Sequence, residues 1–180
     1  MDFVPFPKIP RLKRGCIITE KLDGTNAQVV IGEDGSVRAG SRNRWITPEN
    51  DNFGFAAWVK QNEDELRLLG VGQHFGEWWG LGIQRGYSLH ERRFSLFNTG
   101  RWADDSVRPP CCGVVPVLNA GDFTTTIVDE TLEALKERGS VAAPGFMKPE
   151  GVIVFMTASR HLYKVLAEND NEPKGKAEAA

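Results

Sequence analysis

The chain has 180 residues and a formal net charge of -2, with 41% hydrophobic and 26% charged side chains. This length favours one globular domain, and the balanced charge argues against a protein that coats nucleic acid through bulk electrostatics. No apolar run reaches the roughly 20 residues that span a bilayer, and the amino terminus lacks the apolar segment of a signal peptide, so we expect a cytoplasmic protein.

The sequence divides into an arm, a domain and a tail. Residues 1–14 contain three prolines and four basic side chains, Lys8, Arg11, Lys13 and Arg14. Proline fixes φ and removes a backbone donor, so this arm is predicted to run extended up to Gly15. The predicted domain covers residues 15–167. Residues 168–180 are polar and are predicted to form a disordered tail, because they cannot bury a core.

Strands dominate the predicted domain. The first spans residues 16–20, and residues 27–31 and 36–39 form a hairpin in which the Asp34-Gly35 step supplies the positive φ of a tight turn. Further strands are predicted at 73–79, 93–97, 151–156 and 161–166.

Two helices are predicted. Apolar residues recur at helical spacing over 55–69, which indicates one amphipathic helix closed by Gly70. The second helix covers 128–138, with Thr126 and Asp129 as its cap. The pattern predicts an α+β fold dominated by antiparallel sheet.

The cysteines and tryptophans are predicted to be structural. Cys16, Cys111 and Cys112 lack zinc-site spacing and suit no ordinary disulfide framework, so reduced thiols are expected. Trp78 and Trp79 are neighbours on a strand and point to opposite faces, so at least one should be buried.

A candidate nucleophile follows the first strand. Residues 20–26 (EKLDGTN) place Lys21 between an apolar strand and a turn. A lysine is protonated at neutral pH, and it attacks phosphorus only when burial or a neighbouring cation lowers its pKa. By itself this pattern also fits a solvated lysine before a turn.

An ordered series of motifs resembles the covalent nucleotidyltransferase superfamily of RNA ligases, DNA ligases and mRNA capping enzymes. In sequence order the matches are KLDG at 21–24, SR at 41–42, FGEWWG at 75–80, RFSLFN at 93–98, KPEGVIV at 148–154 and LYKV at 162–165. With GIQ at 82–84, the series is most similar to a minimal phage-type ATP-dependent RNA ligase. The resemblance implies a single adenylation domain built on antiparallel sheets with flanking helices and without an appended OB-type domain.

The resemblance implies three catalytic residues. Lys21 would attack the α-phosphate of ATP and become a lysyl-AMP. Lys164 would contact the same phosphate and stabilise its developing charge. Arg42 would bind phosphate in a bidentate manner. A solvated edge-strand lysine and a surface salt bridge are the alternatives for Lys164 and Arg42.

The resemblance also implies residues that bind the nucleotide and a metal ion. Glu77 would accept a hydrogen bond from a ribose hydroxyl, and Phe97 would stack on adenine. Glu150 would organise Mg²⁺ or Mn²⁺. A solvated glutamate and a core phenylalanine are the alternatives for Glu77 and Phe97. Further candidates for contacts with adenine, phosphate or a metal-bound water are Glu20, Thr25 and Asn26.

These implications predict an ATP-dependent polynucleotide ligase that seals RNA or DNA ends bearing a 5′-phosphate and a 3′-hydroxyl. Three alternatives stay open: a DNA ligase, a GTP-using capping-type transferase, and a noncatalytic relative that binds nucleotide or nucleic acid. Two positions depart from the family pattern, because Leu166 replaces a second lysine and Asn98 replaces a common acid.

We expect a monomer that repairs RNA in the cytoplasm of a bacterial or phage-infected cell. The basic arm or an accessory protein would add substrate contacts. Further phosphate contacts are predicted for a set of arginines, namely Arg85, Arg92, Arg93, Arg101 and Arg108.

Overall fold

Two sheets form the domain in a computed structural model that describes residues 1–168 and 170. The strands are β1 (Gly15–Lys21), β2 (Thr25–Ile31), β3 (Val37–Ser41), β4 (Trp45–Ile46), β5 (Gly72–Gly80), β6 (Arg92–Leu96), β7 (Cys112–Val114), β8 (Val117–Asp122), β9 (Gly151–Met156) and β10 (His161–Leu166). One sheet has the order β10-β9-β1-β8 and the other the order β4-β3-β2-β5-β6-β7. All neighbours are antiparallel except β6 and β7, which confirms the predicted class.

The predicted strands are present, and the hairpin of β2 and β3 turns at Gly35 with φ 76°. Three strands of the structure were not predicted. β4 and β7 have two and three residues, and β8 (VLNAGD) does not alternate between apolar and polar residues. Each is defined by pairing with a stronger strand.

The helices are α1 (Phe55–Gln61), α2 (Glu63–Leu66), α3 (Thr99–Trp102) and α4 (Thr125–Arg138), with 3-10 turns at Arg67–Leu69 and Gly86–Ser88. The prediction of one continuous helix over 55–69 is wrong, because the chain breaks at Asn62. The Asn62 side-chain amide donates to the Trp58 carbonyl, which also accepts from the Asn62 N–H. Such local bonding ends a helix.

The cap of α4 also differs from the prediction. Thr124, and not Thr126, is the N-cap, and its hydroxyl accepts from the Ile127 N–H at 3.0 Å. Thr124 has the extended backbone that an N-cap requires, whereas Thr126 already lies inside the first turn.

Each sheet buries one face under a helix. The six-stranded sheet packs against α1 through Val29, Trp78 and Phe94. The four-stranded sheet packs against α4 through a second cluster that includes Ile18 and Val154. A third cluster joins the sheets and comprises Leu22, Trp79, Tyr87, Val115 and Ala143. Trp78 and Trp79 are therefore both buried, on opposite faces of β5.

The ends of the chain and the thiols complete the fold. Residues 1–14 contain no helix or strand and are exposed. Apart from Glu168 and Asp170, the predicted tail lies outside the described residues. All three cysteines are free thiols. In the described part of the chain, no helix is long and apolar enough to cross a membrane.

Candidate active site

Lys21 and Glu150 meet where β1 ends and β9 begins. Lys21 pairs with Gly151, so the register of the sheet brings together residues 129 positions apart. The Lys21 Nζ lies 2.5 Å from the Glu150 Oε2, and their side chains are 21% and 7% exposed. Gly151 has φ 152°, and a Cβ there would lie 2.2 Å from the Val165 carbonyl oxygen. Glycine is therefore required beside the ion pair.

Glu77 lies beside this pair on β5, buried at 8% exposure. Its Oε1 accepts from the Gly24 N–H at 3.1 Å, and its Oε2 accepts from the Asn26 Nδ2 at 3.0 Å. Burial raises the pKa of Glu77 to about 7, although the Lys21 ammonium opposes the shift. Glu77 is not a solvated surface glutamate, and it titrates near neutral pH.

Arg42 extends the cluster from the end of β3. Its Nε donates to the Asn26 Oδ1 at 2.8 Å, and its Nη2 donates to the same oxygen. Asn26 thereby links Arg42 to Glu77. Among the described residues Arg42 has no carboxylate partner, and its exposed guanidinium is free to bind an anion.

Lys164 projects from the same face of the four-stranded sheet as Lys21. Thr19, Ile153 and Lys164 are paired across β1, β9 and β10, and paired residues share a face. Since residues two apart on a strand also share a face, Thr19 and Lys21 do so. Lys164 is exposed. Ile153 is partly buried between them and adds an apolar surface that the sequence analysis did not single out.

Phe97 follows β6 and is 42% exposed, whereas Phe94 and Leu96 are buried in the core. Its N–H donates to the Phe75 carbonyl at 3.0 Å, which continues the β5-β6 ladder. Phe75 and Glu77 share a face of β5 because they lie two residues apart. Phe97 therefore stands on the Glu77 side of the sheet and is not a core residue.

Two predicted nucleotide contacts lie outside this cluster. Glu20 is 1% exposed, and its carboxylate accepts from three donors in the segment after α4, the Ser140 hydroxyl and the N–H groups of Val141 and Ala142. The Thr25 hydroxyl accepts from the Asn52 Nδ2 at 3.1 Å. Both residues alternate with a cluster member on their strands and so face away from it. Contact with a nucleotide in this cluster would require either side chain to turn to the other face of its strand.

The turn after Lys21 is held by contacts that no sequence pattern indicated. The Tyr87 hydroxyl accepts from the Asp23 N–H at 2.8 Å, and burial holds the pKa of Tyr87 well above its usual range. Arg85 Nε donates to the Asp23 Oδ2 at 2.9 Å, and its Nη1 donates to the Lys148 carbonyl. Arg85 thus joins the turn to the segment that precedes Glu150. Tyr87 has φ 53° and no periodic pattern marks it.

The other arginines that were predicted to bind phosphate make contacts within the protein. Arg92, Arg101 and Arg108 each donate to backbone carbonyls, and Arg93 pairs with Glu91. Each of these arginines thus has a partner within the protein. Asn98, which replaces the family acid, accepts from the Arg101 N–H and caps α3.

The site therefore combines a lysine amine, two buried carboxyl groups, two exposed cations and an exposed ring. Nucleotidyl transfer requires such a set, namely an amine together with charged groups that can stabilise a developing phosphate.

Structures of a Naegleria gruberi RNA ligase have a similar fold. A variant with ATP and manganese and a variant with AMP and manganese each give a TM-score of 0.64 at 20% identity. The structure with pyrophosphate gives 0.62 at 20% identity. All three matches cover 86% of this chain and 49% to 50% of the ligase. The chain thus spans about half the length of these relatives.

No curated protein matches the chain. The sequence model described as RNA ligase matches residues 14–166, a range that contains every motif from 21–24 to 162–165. The chain belongs to the RNA ligase family.

Proposed function

We propose that this protein is an ATP-dependent RNA ligase that works through a lysyl-AMP on Lys21. The observation that carries the proposal is the contact of Lys21 with Glu150 beside Glu77, at the edge where the two sheets meet. Family membership supports the reaction class, and the relatives bound to ATP, AMP or pyrophosphate support the nucleotide.

In the first step the Lys21 amine attacks the α-phosphorus of ATP. A P–N bond forms, the bond to the bridging oxygen breaks, and pyrophosphate leaves. The ammonium must first lose a proton, and the Glu150 Oε2 at 2.5 Å is the acceptor in contact with it. The same carboxylate also orients Lys21 at the end of β1.

The other cluster residues bind and stabilise the nucleotide in this proposal. Lys164 and Arg42 supply positive charge to the phosphates. Phe97 stacks on adenine, with Ile153 as an apolar surface on the other sheet. Glu77 accepts from a ribose hydroxyl, since each of its oxygens holds one donor and has a further lone pair.

A divalent cation fits the carboxylates of the site. Mg²⁺ is commonly held by one or two carboxylates together with substrate phosphates, and Glu150 offers such a carboxylate. Within residues 1–168 and 170, no three His, Cys, Asp or Glu side chains form a metal cage, so substrate phosphates and water would supply the further ligands. When bound, Mg²⁺ or Mn²⁺ would neutralise charge on the phosphates.

The later steps need a polynucleotide. The AMP passes from Lys21 to a 5′-phosphate, and a 3′-hydroxyl then attacks that phosphate and releases AMP. In this proposal the polynucleotide contacts the exposed Arg42, which is joined to Glu77 through Asn26.

Covalent labelling tests the proposal. Incubation with α-labelled ATP and Mg²⁺ should leave label on the denatured protein and a mass increase equal to that of AMP. Lys21→Ala should abolish both, and Lys136→Ala, which changes an exposed lysine of α4, should not.

A chase with 5′-phosphorylated nicked RNA and DNA then separates the alternatives. Sealing of RNA supports the ligase, and sealing of DNA alone or labelling by GTP alone would assign a DNA ligase or a capping-type enzyme. Undiminished label in the Lys21→Ala variant would overturn the assignment of Lys21 as the nucleophile. No label in the wild-type protein would indicate a noncatalytic relative.

A further inference from the structure

Three exposed aromatic side chains lie in one line across the six-stranded sheet. Trp45 pairs with Gly40, Gly40 with Gln28, and Gln28 with Phe75. Phe97 continues the line, since its N–H donates to the Phe75 carbonyl. Residues paired across neighbouring strands project from the same face. The line therefore crosses β4, β3, β2 and β5 and reaches the end of β6. We call Trp45, Phe75 and Phe97 the aromatic row.

The aromatic row is accessible to a ligand. Trp45, Phe75 and Phe97 are 46%, 52% and 42% exposed. The opposite face of the same strands buries the core against α1, so these rings do not belong to that core. Gly40 has no side chain to cover them, and Gln28 is tied to the Ser41 carbonyl at 3.3 Å. Exposed rings that share one face of a sheet offer π-faces to a flat ligand.

Positive charge surrounds one end of the row. Residues 35–48 contain Arg38, Arg42 and Arg44 and no acid. The Arg38 guanidinium lies 3.8 Å from the centroid of the Trp45 ring. All three arginines are exposed, and none forms an ion pair with a carboxylate of the described residues. Arg38 has no carboxylate partner and lies beside the exposed Trp45 ring, which suits a polyanion that carries flat bases.

We propose that the aromatic row is the binding surface for a single-stranded end of the RNA substrate. Bases stack on Phe75 and Trp45, and phosphates contact Arg38, which lies on the same face as Trp45. Bases offer a π-face whatever their sequence, so the surface tolerates many ends. This inference rests on the proposed function, which assigns Phe97 to adenine.

The position of the row explains how such an end reaches the nucleotide. The pair of Asn26 and Glu77 lies two residues along β2 and β5 from the pair of Gln28 and Phe75. Both pairs project from the same face, because the spacing is even. An RNA end stacked on Phe75 is therefore next to the cluster that contains Lys21.

Tryptophan fluorescence tests the proposal directly. Trp45 is the exposed tryptophan, and titration with a short 5′-phosphorylated RNA should quench it. Trp45→Phe should keep the affinity and lose most of the quenching. Trp45→Ala and Phe75→Leu should each weaken binding about tenfold or more. Arg38→Gln should make the salt dependence of binding shallower by about one unit of log-log slope. The other tryptophans are less exposed, namely Trp58, Trp78, Trp79 and Trp102.

Two controls separate stacking from other effects. Leu68→Ala removes an exposed apolar side chain outside the row, 65% exposed on the turn after α2, and should bind RNA as the wild type does. A strand of equal length without bases should bind Phe75→Leu and the wild-type protein equally. The melting temperature of each variant shows that it is folded.

The outcomes distinguish this inference from the proposed function. If the folded Trp45→Ala and Phe75→Leu variants bind RNA with wild-type affinity, the aromatic row is not the binding surface, even when Lys21 is labelled normally. Absence of RNA binding by the wild-type protein would also overturn it and leave a protein partner as the occupant. RNA binding that depends on the row, without labelling of Lys21 by ATP, would overturn the proposed function alone.

Discussion

Glu77 has a carboxyl group that titrates near neutrality while its partners need it ionised. Burial raises its pKa to about 7 from 4.5. Below pH 4.5 it is protonated in both the folded and unfolded states. Between about pH 4.5 and 7 the unfolded state ionises first, so the folded protein loses stability as the pH rises, by roughly 3 kcal/mol in total.

Glu77→Gln should remove this pH dependence. Urea unfolding at a series of pH values should show that the free energy of unfolding of the wild-type protein falls between about pH 4.5 and 7 more steeply than that of the variant. An equal slope in both proteins would mean that Glu77 ionises normally in the fold.

Lys164 gives a second prediction at the residue scale. It is exposed and forms no ion pair with any described residue, so Lys164→Ala should leave the melting temperature nearly unchanged. If it stabilises charge on the α-phosphate, the variant should form the lysyl-AMP about 100-fold more slowly. Single-turnover labelling measures this rate. A rate equal to that of the wild type would mean that Lys164 is a solvated lysine on an edge strand without a role in catalysis.

At the scale of elements, Glu20 fastens the end of α4 to β1. Three donors from residues 140–142 bind its buried carboxylate. Glu20 immediately precedes Lys21 in the chain. Removing a buried acceptor leaves such donors unsatisfied. The contact therefore holds β1, the strand that carries Lys21, against α4.

Glu20→Ala should lower the free energy of unfolding by about 2 to 4 kcal/mol. Glu133→Ala, on the exposed side of α4, should change it by less than about 0.5 kcal/mol. Urea unfolding compares the two. A stable Glu20→Ala variant with weakened ATP binding would instead support the predicted contact with adenine.

At the scale of the whole molecule, the arm of residues 1–14 stands apart from the folded body. Its side chains are exposed, and its carboxyl end is anchored where the Arg14 carbonyl accepts from the Phe123 N–H. The arm therefore adds basic charge to the molecule without belonging to either sheet.

Replacing Arg11, Lys13 and Arg14 together with glutamine should leave the melting temperature unchanged. RNA sealing should weaken, and its salt dependence should become shallower by about one unit of log-log slope for each lost phosphate contact. Calorimetry and sealing assays over a range of salt check both. Joint loss of stability and labelling would make the arm a structural strap, and wild-type sealing would show that it does not touch RNA.

The sequence by itself determined the strands that carry the motifs, because alternation and turn residues are local signals. KLDG at 21–24, the Asp34-Gly35 turn and the GVIVFM strand at 151–156 are readable without a fold. The order of the motifs likewise predicted the family that the comparison established.

Only the tertiary structure decided which of these residues meet. The contact between Lys21 and Glu150 depends on the register of β1 and β9. The exposure of Phe97 and the burial of Glu20 depend on which face each helix covers. A strand pattern gives alternation but does not fix which face turns to a helix and which to the site, since that choice belongs to packing between segments distant in the chain.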